Sequence, residues 1–192
     1  MIDSNQYKSL WNDDIEGLLF PSEENLFLNG FSSEEIILLT QYGVPYNVTD
    51  MRFSSPSFYN FSEPLKKLSE EQQIDKKDYQ NYIVIGFYAD GNPICIDELD
   101  NRKIITFKNF FTNCKRLSMN TSISQLVGLI YEYKLFTMDC EIKINDANFY
   151  IDYKISRLDK FISRCNEIDI MTANKDNYWN ILIKSIVDKN LA

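Results

Sequence analysis

The chain has no histidine among its 192 residues. That removes the side chain most often used as a general base near neutral pH, and also the commonest metal ligand. A Ser–His or Cys–His nucleophile pair is thereby excluded. Glycine and proline are sparse, at six and five, which suits long regular elements better than a sandwich of many short strands. Phosphate-cradling loops are missing as well. The stretch Gly86-Phe-Tyr-Ala-Asp-Gly91 lacks both dinucleotide-binding and Walker spacing, and reads as a strand followed by a hairpin turn. The longest apolar runs, 36–39 and 82–89, fall far short of a bilayer span, so no membrane association is expected. The opening Met-Ile-Asp-Ser-Asn-Gln is neither basic nor followed by an apolar run, and predicts no secretory signal. Cys95, Cys114, Cys140 and Cys165 form no CxxC pair, so neither a zinc site nor any other cofactor is expected. In a cytoplasmic protein these thiols stay reduced.

Basic charge is nearly absent from one end. The first 50 residues hold nine acids (Asp3, Asp13, Asp14, Glu16, Glu23, Glu24, Glu34, Glu35, Asp50) against Lys8 alone, and the other 142 hold 19 of each sign. The net charge of −8 therefore belongs to the front of the chain. A field of one sign on one lobe draws a basic partner and repels phosphate backbones. The most basic windows, around Arg102, Lys103, Lys108, Lys115 and Arg116, are interleaved with acids and hydrophobics, so nucleic-acid binding is not expected. Hydrophobic content of 44% with 14% aromatics is globular. The length predicts one domain over 1–192, with 1–30 as an acidic lobe of that domain.

What is present predicts an α+β fold. Residues 4–11 read as a short helix, and 21–29 as loop with one helical turn. Ser32 and Glu35 make a capping box, with Phe31 and Ile36 as a hydrophobic staple, opening a helix to about residue 42. Gly43 is placed to end it in the left-handed conformation, and Pro45 forbids continuation. Residues 48–61 read as strand and then loop, and 65–78 as a short strand and a solvated excursion. The run 82–88 is apolar on both faces, as in a strand covered on both sides. Turns at Asp90-Gly91 and Asp100-Asn101 lead to strands over 93–97 and 103–107, with a further candidate over 115–119: an antiparallel meander. Ser122 with Gln125 opens a helix over 123–136. Ile151, Ile155, Leu158, Ile162 and Cys165 recur at helical steps and predict a long amphipathic helix over 147–166. Asn174 is placed to cap a last helix. Helices at the front and three at the back would pack on the central sheet.

Candidate contact residues follow from the charge. Asp13, Asp14, Glu16, Glu23 and Glu24 form either a solvated surface or part of a binding face. Phe58, Tyr59 and Phe61, beside Pro56, form either an exposed aromatic anchor or core. Asp97, Glu98 and Asp100 could do acid–base work or bind a cation, or could be a solvated turn; EF-hand spacing is missing. Cys114 beside Lys115 and Arg116 is either a thiol of lowered pKa or a bland cysteine. Trp11 and Trp179 read as core.

The order of motifs resembles the SUKH superfamily, nearest its group-four immunity proteins. The blocks are Leu38-Leu39-Thr-Gln-Tyr-Gly43-Val-Pro45, then Tyr82-Ile-Val-Ile-Gly86, Ile94-Cys-Ile-Asp97-Glu98, Asn120-Thr-Ser-Ile-Ser-Gln125, and finally Asp169 and Trp179. They span residues 31–187, with 60–80 and 140–155 outside them. The resemblance implies an α+β fold and a non-enzymatic role as antidote: binding a cognate polymorphic toxin domain, such as a nuclease or deaminase, and blocking it. It carries over no catalytic residue. It implies that Gly43 permits a backbone turn, Gly86 permits close packing, Ile94 and Ile96 fill the sheet, and Asp97 is either a turn residue or a contact. An adaptor on the same fold and a carboxylate-dependent enzyme centred on Asp97 and Glu98 are the alternatives.

Overall fold

The computed structural model describes residues 3–11, 17–49, 51–53, 65–73, 77–138, 140–145 and 148–190. At the front, α1 (Ser4–Ser9), α2 (Glu23–Leu28) and α3 (Ser33–Tyr42) begin on capped termini. Asp3 accepts the Asn5 and Gln6 N–H groups, and Ser22 accepts that of Asn25. The Ser32–Glu35 capping box is present in both directions, at 3.2 and 2.8 Å. Between these helices, β1 (Leu18–Leu19) pairs antiparallel with β2 (Val44–Pro45).

Gly43 does not take the left-handed helical conformation that its position predicts. It lies at φ 76°, ψ 176°, in an extended region essentially reserved for glycine, because the chain passes directly into β2 beside β1. A Cβ there would lie 3.0 Å from the Leu19 carbonyl oxygen and the Phe20 ring.

The central sheet has six antiparallel strands in sequence order: β3 (Asn47–Val48), β4 (Met51–Arg52), β5 (Tyr82–Tyr88), β6 (Pro93–Asp97), β7 (Lys103–Lys108) and β8 (Lys115–Asn120). The meander is the expected one, extended by β3 and β4. Its alternation sends Ile83, Ile85, Ile94, Ile96 and Ile104 into the larger core, under the helices. Val84, Cys95, Ile105 and Phe107 go to a smaller core on the opposite face, with Leu68 and Phe110. Both faces of β5 are thus covered, as its composition predicts.

After the sheet come α5 (Ile123–Met138), α6 (Ile155–Ile168) and α7 (Tyr178–Asn190), preceded in chain order by α4 (Leu68–Glu71). Three expectations need correction. The long helix over 147–166 is shorter: a hairpin of β9 (Glu141–Asn145) and β10 (Asn148–Asp152) takes its first part, and Ile155 is exposed. Its register pairs Ile142 with Ile151 and Ile144 with Phe149, an alternation that competes with the helical stripe ending in Ile151. The segment after residue 65 forms the helical turn α4 and a single bridge from Lys67 to Ile83 where a short strand is predicted. The cap of α7 is Asn177, whose Oδ1 accepts the Trp179 N–H at 2.9 Å. Asn174 instead accepts the Asp176 N–H.

Candidate functional site

The acidic front presents one continuous feature, the α2–α3 pair. Glu23 and Glu24 occupy the first turn of α2 and Glu34 and Glu35 that of α3, where the helix dipole stabilises them. Helix α2 has six residues and buries only Leu26. Its neighbours Phe27 and Leu28 are 74% and 66% exposed, and Ile37 on α3 is 53% exposed. On each helix exposed large apolar side chains thus stand one turn from carboxylates, Phe27 and Leu28 from Glu23 and Glu24 and Ile37 from Glu34, a composition found at the centre and rim of protein interfaces.

The pair is fixed to the sheet from below. The β6–β7 turn places Asn101 and Arg102 at positive φ, which aims Arg102 at the α2–α3 connection. Its guanidinium lies 4.6 Å from the Phe31 ring centroid, and Nη1 donates to the Asn29 carbonyl at 3.2 Å. The cation that reaches the front from the sheet therefore bonds a ring and a carbonyl and leaves the acids alone.

Ion pairing separates the two ends of the chain. Among the described residues every ion pair uses a carboxylate from residue 97 onward. Asp97 is 4% exposed; its Oδ2 meets Arg116 Nη2 at 2.7 Å and its Oδ1 accepts the Leu99 N–H. Glu98 pairs with Lys67. Asp100 takes Lys103 at 2.7 Å and Arg116 at 3.0 Å, and hydrogen bonds from Lys103 first, then Arg116, hold its carboxyl below the usual carboxylate range. These three carboxylates brace the β6–β7 turn against β8 and the Lys67 segment. By contrast Glu23, Glu24, Glu34 and Glu35 take part in no ion pair among the described residues.

Comparison with protein-family models, curated proteins and solved structures gives no match.

Of the residues proposed for contact from sequence, Glu23 and Glu24 are exposed on α2. Asp13, Asp14, Glu16, Phe58, Tyr59 and Phe61 lie outside the described residues. The motif positions Pro45, Gly86, Ile94, Ile96 and Trp179 are all buried. Asp169 accepts from Thr121 and Met171, and Trp179 Nε1 donates to Asn120 Oδ1 at 3.1 Å, so the last two blocks of the motif meet in space. Phe27 and Leu28 are not marked by the sequence as contacts, and Arg102 figures there only in a basic window. A signal for the first two existed: Leu26-Phe27-Leu28 on a helix of six residues can turn only one side chain inward. Cys114 is exposed, with the Tyr79 hydroxyl 4.0 Å from its sulfur. No group of three or more potential ligands among the described residues is placed to hold a metal ion, and no helix there is long and apolar enough to cross a membrane.

Proposed function

We propose that this protein is a cytoplasmic, SUKH-like immunity protein that covers the working surface of a cognate toxin domain with its acidic front. The observation that carries the reading is the set of front carboxylates (Glu23, Glu24, Glu34) that form no ion pair among the described residues, beside the exposed Phe27 and Leu28. Where a fold consumes its own charges internally, as at Asp97 and Asp100, little field remains for a partner. Where it does not, the field extends outward and accelerates encounter. A nuclease must keep positive charge to hold its substrate, so an acidic inhibitor engages a surface such an enzyme cannot give up. An interface of standard size would bury about 1,600 Å² in total.

The test is co-expression with the product of the adjacent gene, scored by growth and co-purification. Growth should be rescued by the native chain and not by the Glu23→Lys, Glu24→Lys double variant, while Phe27→Ala weakens co-purification by about tenfold or more, as expected for an interface anchor. Rescue unchanged in both variants removes this face from the account. Absence of rescue and of co-purification by the native chain removes the immunity role.

A further inference from the structure

We infer that the groove between α3, α5 and α6 is the seat for a basic amphipathic helix of the partner. The inference deepens the proposed function and rests on it in one respect, that the partner is a basic protein.

The groove has a volume of about 570 Å³ and is mostly apolar. Its walls are faces of α3, α5 and α6, with Tyr7 of α1 and Tyr42 at the end of α3 completing the lining. From α3 come Glu34, Ile37, Leu38 and Gln41, at i, i+3, i+4 and i+7. That is the stripe a helix ordinarily turns toward a packing neighbour, yet Ile37 stands half exposed. From α5 come Ser124, Val127 and Gly128, and from α6 Arg164 and Ile168. The α3 stripe runs for about two helical turns, roughly 10 Å, a length matched by i, i+3, i+4 and i+7 anchors on an incoming helix.

Gly128 is the second observation. It lies inside a 16-residue helix with no positive φ, where glycine is unfavourable relative to alanine. A Cβ there would meet only Ile168, at 3.4 and 3.7 Å, an ordinary contact. The fold therefore accommodates alanine, and what glycine provides is a bare stretch of helix on the groove floor where another backbone can approach closely.

Charge selects the occupant. Glu34 at the rim is unpaired among the described residues. Arg164 is taken up by Glu132, with Nε to Oε1 at 3.0 Å, and by Glu167. Glu34 and Arg164 are the charged side chains that line the groove, and with Arg164 already engaged by Glu132 and Glu167, Glu34 is the charge left for a Lys or Arg flanking an apolar stripe.

The test uses the full chain and two fluorescent peptides of 18 residues and identical Leu/Lys composition. In one, Leu recurs at i, i+3, i+4 and i+7; in the other the order is scrambled. The patterned peptide should bind about tenfold tighter by anisotropy, and Gly128→Leu and Ser124→Arg should each reverse most of that preference. Gly128→Ala supplies the folding control, raising Tm by about 2 °C while weakening the patterned peptide about threefold. Glu23→Lys with Glu24→Lys should weaken both peptides alike. Equal binding of the two peptides overturns the groove, as does patterned binding indifferent to Gly128→Leu. A dimer of this chain abolished by Gly128→Leu overturns it too, by naming a second copy as occupant. Toxin capture lost on reversing Glu23 and Glu24 but intact in Gly128→Leu defeats the groove and leaves the proposed function standing. Peptide binding as described, with no toxin captured, does the reverse.

Discussion

Asp169 joins two segments that are distant in sequence. It is buried, and its carboxylate accepts the Thr121 N–H and hydroxyl at 2.8 Å each and the Met171 N–H at 3.1 Å. It thereby ties the end of β8 and the start of α5 to the turn after α6. Asn120 beside it accepts from Trp179, and Asn177 Nδ2 donates to the Met119 carbonyl. Asp169→Ala leaves buried donors without an acceptor and should destabilise the protein by about 3 kcal/mol in urea unfolding. A loss under about 1 kcal/mol would mean that water replaces the carboxylate there. Cys165 gives a pH-dependent prediction. Burial first, and the nearby Glu132 carboxylate second, push its thiol up to about 12. The unfolded chain releases that proton from about pH 8.5 and the folded one does not, so stability is fully present below that pH and falls above it, by about 1.4 kcal/mol per pH unit up to about pH 12. Buried Cys95 adds to the fall in the same direction. Cys165→Ala should flatten the fall of the urea midpoint between pH 9 and 10; an unchanged slope assigns it to other groups.

At the scale of elements, most local signals held, the exceptions being the caps read at Gly43 and Asn174. The capping box at Ser32, the turn at Asp90-Gly91 and the alternation through β5 and β6 are interactions among residues a few positions apart, and each formed as predicted. The stripe from Ile151 to Cys165 failed at its start, because Ile142, Ile144, Phe149 and Ile151 also fit a two-residue period, and pairing across a hairpin is a contact between segments. Close approach between strands is likewise invisible locally. Gly86 lies at an irregularity in the β5–β6 register, where a Cβ would come within 2.5 Å of the Arg52 carbonyl oxygen and 3.1 Å of the Phe53 Cα. Backbone cannot yield there as a flexible side chain can. Gly86→Ala should therefore force β4 away from β5, with a loss of about 2 kcal/mol. Retention of native stability would show that β4 shifts freely.

Over the whole molecule, charge is partitioned as the sequence implied, and the ion pairs give the partition its physical content. Cations at Lys67, Lys103, Arg116 and Arg164 are engaged by carboxylates of the sheet and back helices, while the carboxylates of α2 and α3 form no ion pair among the described residues. If that field steers association, the on-rate with the proposed toxin partner should fall about tenfold or more between 50 and 300 mM salt, as screening shortens its reach, with the off-rate little changed. A salt-independent on-rate in stopped flow would remove steering and leave shape and apolar contact to carry binding.

The amino-acid sequence by itself determined the α+β class, the meander and its two covered faces, the capped α3 and the acidic front. All of these follow from composition, short-range periodicity and nearest-neighbour chemistry. Only the tertiary structure decided that Asp97 is buried against Arg116, that Arg102 reaches under Phe31, that Phe27 and Leu28 face outward and that a groove opens over Gly128. Each of those depends on which surfaces of separate elements meet, and a one-dimensional pattern constrains such meetings only through the free energy of the assembled whole.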